Sequence, residues 1–306
     1  MVVLLAVLAD LALGDPPNRW HPTAWMGSAI VWAGRLRPRA RGPVTDLVAG
    51  SVLAVGGTLA AAGAGMAVER LAARLPRPVG TLTVAAALGT TISIRGLDRA
   101  AAAVEGSLTA GDLAAARRLL AWHLVSRDTT ALSASQVAAA TIESVAENAS
   151  DGVVAPLAWY VAGGLPAALA YRFANTADAM LGYRDPDHEW YGKAAARLDD
   201  ALNLVPARLT ALLLVLAAPI AGGSPAAAWS IMRRDGRRTA SPNAGLPMSA
   251  MAGALSVSLE KAGCYRLGGG LPDPGPADLR RARNVARTAL ALGAMSAATL
   301  AGGRNR

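Results

Sequence analysis

The stretch VTDLVAGSVLAVGGTLAAAGAGMAV, residues 44–68, carries a single charge, Asp46. A helix crosses the hydrocarbon core of a bilayer with about 20 apolar residues, so this segment is long enough with margin. Its Gly and Ala positions leave little bulk on the helix surface, which suits the close helix–helix approach that drives association in lipid. The rest of the chain agrees. Its 306 residues are 53% hydrophobic and 17% charged, against about 25% charged in a soluble domain. Hydrophobicity this high excludes disorder, and the single cysteine, Cys264, excludes an intrachain disulfide scaffold. The reading is an all-α, multipass integral membrane protein forming one membrane-embedded domain over residues 1–306.

The other apolar segments, 2–14, 79–94, 153–171, 205–222 and 288–303, are marginal for a span. Segment 2–14 has no basic lead-in and carries Asp10 within its apolar run, so it is expected to be retained rather than removed as a signal peptide. In 22–36, Trp25, Ala29 and Trp32 recur at helical spacing, as in a helix lying along the membrane interface. Residues 95–151 form the first polar excursion. The Gly111 break and the Asp112 N-cap predict an αα-hairpin there, outside the lipid.

Two segments share a helix-breaking device, GGLPAA at 163–168 and GGSPAA at 222–227. Gly-Gly ends a helix, and a Pro two residues on starts another where its missing N–H is not needed. These predict re-entrant or broken helical hairpins with halves of about a dozen residues, too short to span singly; an ordinary loop after a short span is the alternative. Fold-back would return 172–208 and 233–253 to the face carrying 127–151 and gather the polar loops there. With 44–68 and 79–94 as an antiparallel pair, Arg70, Arg74, Arg77, Arg304 and Arg306 lie on the far side. The other 25 of the 30 basic residues lie on the near side, which the positive-inside rule makes the cytoplasmic face of the cell (inner) membrane. The net charge of +9 comes largely from arginine clusters beside apolar segments. These suit a lipid bilayer; the aromatic interleaving of a nucleic-acid surface is missing.

Four polar constellations stand out. GDPPNRWHP (14–22) is a Pro-stiffened turn holding Asp15 and His21, either merely rigid or functional. RDTTALSASQVAAATIESVAENASDG (127–152) begins at Arg127 and places Gln136, Ala140, Glu143 and Glu147 on one helical stripe. Asp151 extends the stripe if the helix persists, and Asn148 lies beside it. Two carboxylates four apart repel unless a cation intervenes, and Mg²⁺ accepts one or two carboxylates together with substrate phosphates; a solvated helix face is the plain alternative. YRFANTADAMLGY (171–183) puts Asn175 and Asp178 on one face, and WYGKAAARLDDALNLVPAR (190–208) holds Lys193, Arg197, Asp199, Asp200 and Asn203. Acids to hold a metal and bases to neutralise oxyanions suit a phosphate–metal site. RRDGRRTASPNAG (233–245) contains Ser241 and Asn243 in a turn able to present N–H groups to an anion, or is a basic anchor followed by an ordinary turn.

These blocks, in this order, resemble the cobalamin-biosynthesis CobD/CbiB family, the adenosylcobinamide-phosphate synthases. The likeness rests on GDPPNRWHP, RDT…IESVAENASDGVVAPL, NTADAMLGY with ARLDDALNLVPARL, and SPNAG followed by MAGAL. It departs at SLEKAGCY (258–265), where Glu260 and Lys261 stand in place of an expected Gly-Gly pair. The resemblance implies a membrane enzyme of corrinoid assembly. It would join a carboxylate of adenosylcobyric acid to aminopropanol or ethanolamine, or the phosphate of either, as an amide ligase using ATP and Mg²⁺. It also implies association with other corrinoid-assembly membrane proteins. On this reading Glu143, Glu147, Asp151, Asp178, Asp199 and Asp200 serve metal and phosphate binding, while Arg127, Lys193 and Arg197 neutralise phosphates. Asn148, Asn175, Asn203, Ser241 and Asn243 contact substrate, and Asp15 or His21 takes the amine proton. Two rival readings also use intramembrane acids: a Mg²⁺-dependent prenyl- or alcohol-phosphotransferase, and a corrinoid transporter.

Overall fold

A computed structural model of the chain describes residues 1–37, 42–183 and 185–303. The elements are helices α1 (Val2–Leu13), α2 (Pro22–Arg35), α3 (Pro43–Ala72), α4 (Arg77–Gly89), α5 (Ile94–Thr109), α6 (Leu113–His123), α7 (Ala134–Ala149), α8 (Ala155–Leu181), α9 (Lys193–Leu202), α10 (Leu204–Ala217), α11 (Pro225–Asp235), α12 (Gly245–Leu255) and α13 (Pro276–Gly303), with strands β1 (Leu259–Lys261) and β2 (Tyr265–Leu267) between α12 and α13. Among the described residues, four segments are long and apolar enough to cross a membrane: Pro43–Ala72, Ala134–Leu181, Leu204–Ala221 and Pro276–Gly303. The chain is an all-α membrane protein, with the β1–β2 hairpin as a local exception that helical periodicity does not announce. It divides into two compact units, the first Met1–Ser93 with Ala155–Asn203 and Ala294–Arg306, the second Ile94–Val154 with Leu204–Gly293.

In the first unit the burial pattern of α3 is that of a lipid-facing helix. Gly50, Ala54, Ala61 and Gly65 are buried, while Val48, Val52, Val55 and Leu59 are more than half exposed. Small residues inside and bulky apolar residues outside invert the usual soluble pattern, because lipid welcomes the bulk and the helix contact needs the smallness. A Cβ on Gly65 would collide with the backbone of Leu165 and Pro166, and one on Gly57 with the Phe173 ring. Glycine therefore sets how closely α3 meets α8.

That meeting point is also where α8 breaks. Gly163 and Gly164 leave helical geometry at φ −138° and +73°, and Pro166 opens the second half, as GGLPAA predicts. The freed N–H of Leu165 donates to Glu69 Oε1 of α3 at 2.8 Å, so an acid from the neighbouring span caps the new helix start. The two halves are unequal, with the longer one following the break. The first half also joins α7 through a π-turn at Ser150–Val154 rather than starting after a loop.

The second unit contains the other device. Helix α10 tightens into a 3₁₀ turn, Gly222 adopts φ +71°, and Ser224 caps α11 ahead of Pro225. Helices α5 and α6 form the expected hairpin, with Gly111 at φ +77° and Asp112 accepting the Ala115 N–H at 2.8 Å. Helix α12 is apolar on every side and almost wholly buried, as a central helix must be. Ionic ties hold the α13 segment within this unit: Asp98 pairs with Arg283 and Arg287, and Glu105 with Arg280 and Arg283.

Ala is favoured over Gly in a helix by about 1 kcal/mol, yet overpacking typically costs about 1–3 kcal/mol. Gly65→Ala is therefore expected to lower the melting temperature of the detergent-solubilised protein. Gly63→Ala, where the added carbon meets open space, should leave it unchanged or raise it. Equal responses of the two variants would contradict the packing described.

Candidate functional site

Within the first unit, the turn after α1 places Asp15 against His21. Asp15 Oδ1 lies 3.5 Å from His21 Nε2, and Oδ2 accepts the Ser93 hydroxyl at 2.7 Å. His21 Nδ1 accepts the Thr23 N–H and so caps α2. The bond to His21 holds Asp15 below the ordinary carboxylate range against its burial, helped by Ser93 and by the charge of Arg172. An acid that stays ionised so readily is a poor proton acceptor and a good electrostatic partner for an ammonium group.

The same unit joins the NTAD and DDALN blocks. Asp199 is buried, and its two oxygens accept amide N–H groups from Asn175 at 3.2 Å and Asn203 at 3.0 Å. Tyr171 donates to Asn203 Oδ1 at 2.9 Å, which fixes the amide with its nitrogen toward Asp199. Burial pushes the Asp199 carboxyl above its ordinary value in spite of these donors. Asp200 lies on the more exposed side, 3.6 Å from Arg197. Lys193 sits over the Trp190 ring at 3.9 Å and pairs with Glu189, which occupies its charge locally. Asp178 lies one turn before the end of α8, with its carbonyl accepting the Gly182 N–H at 2.7 Å.

Within the second unit, Arg127, Glu143, Ser144, Glu147, Lys261 and Tyr265 line an open cavity of about 200 Å³. The α7 capping box, Ser133 with Gln136, sets where the helix begins; Gln136 is thus engaged in capping rather than extending the acid stripe. Glu143 is 5% exposed, and its Oε1 has no hydrogen-bond partner. Asn148 turns back to donate to Ser144 at 2.9 Å, and Asp151 lies in the π-turn that follows α7. Burial and the charges of Glu143 and Glu147 raise the Tyr265 phenol far above its ordinary value, keeping it a neutral donor. In the SPNAG turn, Ser241 Oγ accepts the N–H groups of Asn243 and Ala244, which engages the donors that sequence offered to an anion.

A family model described as CobD/Cbib protein matches residues 3–292. The chain belongs to this family. It is 44% identical over 267 residues to the probable cobalamin biosynthesis protein CobD of Methanothermobacter thermautotrophicus, covering 87% of this chain and 86% of that one. To the cobalamin biosynthesis protein CobD of Geobacter metallireducens it is 46% identical over 271 residues, covering 86% and 82%. To that of Mycobacterium tuberculosis it is 42% identical over 308 residues, covering 97% and 94%. No solved structure matches. CobD/Cbib membership supports a role in cobalamin biosynthesis.

In this CobD/Cbib chain, sequence reasoning put Asn175 on one face with Asp178 and set Asp199, Asp200 and Asn203 together; the structure bonds Asp199 to both Asn175 and Asn203 and brings Arg127, Glu143 and Glu147 to one cavity. Sequence reasoning missed Ser93, Tyr171, Arg172, Lys261 and Tyr265. Tyr171 and Arg172 stood inside a quoted block, directly before its Asn and Asp. Ser93 gave no signal, because its partner lies 78 positions away.

Tyr171→Phe leaves Asn203 Oδ1 buried without its donor, a loss of about 1–3 kcal/mol for an unmet polar group. We expect a drop of several degrees in melting temperature by scanning calorimetry. A variant melting at the wild-type temperature would show that the Tyr171–Asn203–Asp199 chain is energetically idle.

Proposed function

We propose that the chain is an ATP- and Mg²⁺-dependent amide ligase of cobalamin biosynthesis. It joins a carboxylate of adenosylcobyric acid to aminopropanol or ethanolamine, or the phosphate of either. The observation that carries this is the second-unit cavity, which brings together two cations and two carboxylates, one of them with a buried oxygen lacking a donor. Two hard oxygen donors on one helix face suit Mg²⁺ held partly by substrate phosphates.

A carboxylate does not condense with an amine in water unaided. ATP supplies the driving force: a carboxylate oxygen takes the terminal phosphoryl group, ADP leaves, and the amine nitrogen then displaces phosphate from the acyl carbon as it loses a proton. When bound, Mg²⁺ neutralises phosphate charge. Glu143 and Glu147 would hold it, with Asp151 next along the chain, and Arg127 would offset charge on the transferred group. In the first unit, Asp199 with Asn175 and Asn203 forms a fixed polar platform for substrate. Asp178, Asp200, Arg197 and Lys193 belong to its more peripheral charge set. Within the second unit, Asn148 bonds back to Ser144 along α7, and Ser241 and Asn243 shape the SPNAG turn. Within the first unit, His21 holds Asp15 as an ionised group of the kind that partners an ammonium. The arginine distribution supports a cytoplasmic active face on the inner membrane, where other corrinoid-assembly proteins are the natural neighbours.

Detergent-purified protein is to be given adenosylcobyric acid, ATP, Mg²⁺ and each amine with and without phosphate, and the products weighed by mass spectrometry. An amide of the expected mass is predicted. Glu147→Ala and Asp199→Ala should form it at least about 100-fold more slowly, the scale lost when a charge-stabilising group is removed. No amide under any combination, or full activity in both variants, would reject the assignment.

A further inference from the structure

The β1–β2 hairpin, residues 259–267, follows the buried helix α12. Its register pairs Leu259 with Leu267, Glu260 with Arg266, and Lys261 with Tyr265. Side chains alternate across a strand, so Leu259, Lys261, Tyr265 and Leu267 share one face, with Glu260 and Arg266 on the other. The two leucines are fully buried in the core of this unit. Glu260 and Arg266 pair with each other outside at 3.4 Å. The anchored face therefore carries Lys261 and Tyr265 into the cavity, where both are wall residues.

What they meet there is unbalanced in a particular way. Neither Lys261 nor Arg127 forms an ion pair among the described residues, although Glu143 and Glu147 line the same cavity. Glu143 Oε1 in turn is buried without a donor. Two cations outside ion-pair distance of a carboxylate, on the same wall as one buried carboxylate oxygen, are complementary to a ligand bringing both signs: phosphoryl oxygens for the cations, and a positive or N–H-bearing group for that oxygen. Phosphoryl oxygens accept from ammonium, guanidinium and phenol alike.

We infer that Lys261, supported by Tyr265 beside it, binds a phosphoryl group of a substrate in this cavity. The inference rests on the ligase reading and extends it to a segment which that reading does not use. Two substrates could bring the group, the nucleotide or a phosphorylated amine, and their shared chemistry is what Lys261 recognises.

Isothermal titration calorimetry on the purified full chain in Mg²⁺ buffer separates them, with ATP as one titrant and O-phosphoethanolamine as the other. Lys261→Gln should weaken at least one of the two by about tenfold or more, and the titrant affected names the source. Lys261→Arg should restore most of the affinity, and Glu260→Gln, on the opposite face, should bind as wild type. Wild-type affinity for both ligands in Lys261→Gln, an equal loss in Glu260→Gln, or no binding of either ligand by the wild type would each overturn the inference. The ligase reading fails separately: loss of affinity in Lys261→Gln from a wild type that makes no amide leaves the phosphoryl site standing. Unchanged affinity in a protein that does make the amide removes the site alone.

Discussion

A polar group buried among apolar helices has no water to fall back on, and every other feature of this protein is arranged around that constraint. The N–H groups released where α8 breaks would be costly if left open, so Glu69 reaches from α3 to the Leu165 N–H. Asp98 and Glu105 are shared among three arginines of α13; burial opposes the charge on Asp98, and the bonds and charges of Arg283 and Arg287 outweigh it and hold the carboxyl below its ordinary range. Asp199 is met by two amides, one of which, Asn203, is held in turn by the Tyr171 phenol. The Oε1 of Glu143 is buried without a hydrogen bond. It lies on a cavity wall with two cations that are not consumed by ion pairs, which is where a ligand would complete the structure.

The same constraint explains the division of labour between small and large residues. Helices in lipid gain little from hiding apolar bulk, so α3 sends its valines and leucine outward and its glycines and alanines toward α8. Close approach is what lets a side chain as short as Glu69 reach a backbone N–H across the contact. Packing and polar satisfaction are thus one device: widening the contact by a methyl group would also pull the cap away from the helix start.

Much of this was legible in the sequence because it depends on local rules. The long span at 44–68, the Asp112 cap and the αL glycine at Gly222 each follow from periodicity or from the backbone freedom of one residue. The acid, amide and cation types at 127–151 and 171–203 announced sites, and residues within each unit do meet as their helical spacing implied. What was hidden was either long-range or irregular. Ser93 reaches Asp15 only through the fold, and Gln136 is diverted into a cap. The π-turn at Ser150–Val154 carries the chain past Gly152 into α8. The hairpin at 259–267 is too short for an alternation pattern to stand out, and its cavity role follows from register alone.

The account turns on the cavity of Arg127, Glu143 and Glu147 being the place where the phosphate-bearing substrate and its divalent cation are held. Electron paramagnetic resonance of Mn²⁺, used in place of Mg²⁺ with ATP present, measures that occupancy without requiring turnover. Protein-bound Mn²⁺ is expected in the wild type and should be lost in the Glu143→Gln, Glu147→Gln double variant while the fold is retained by circular dichroism. Undiminished Mn²⁺ binding by the folded double variant would contradict the account.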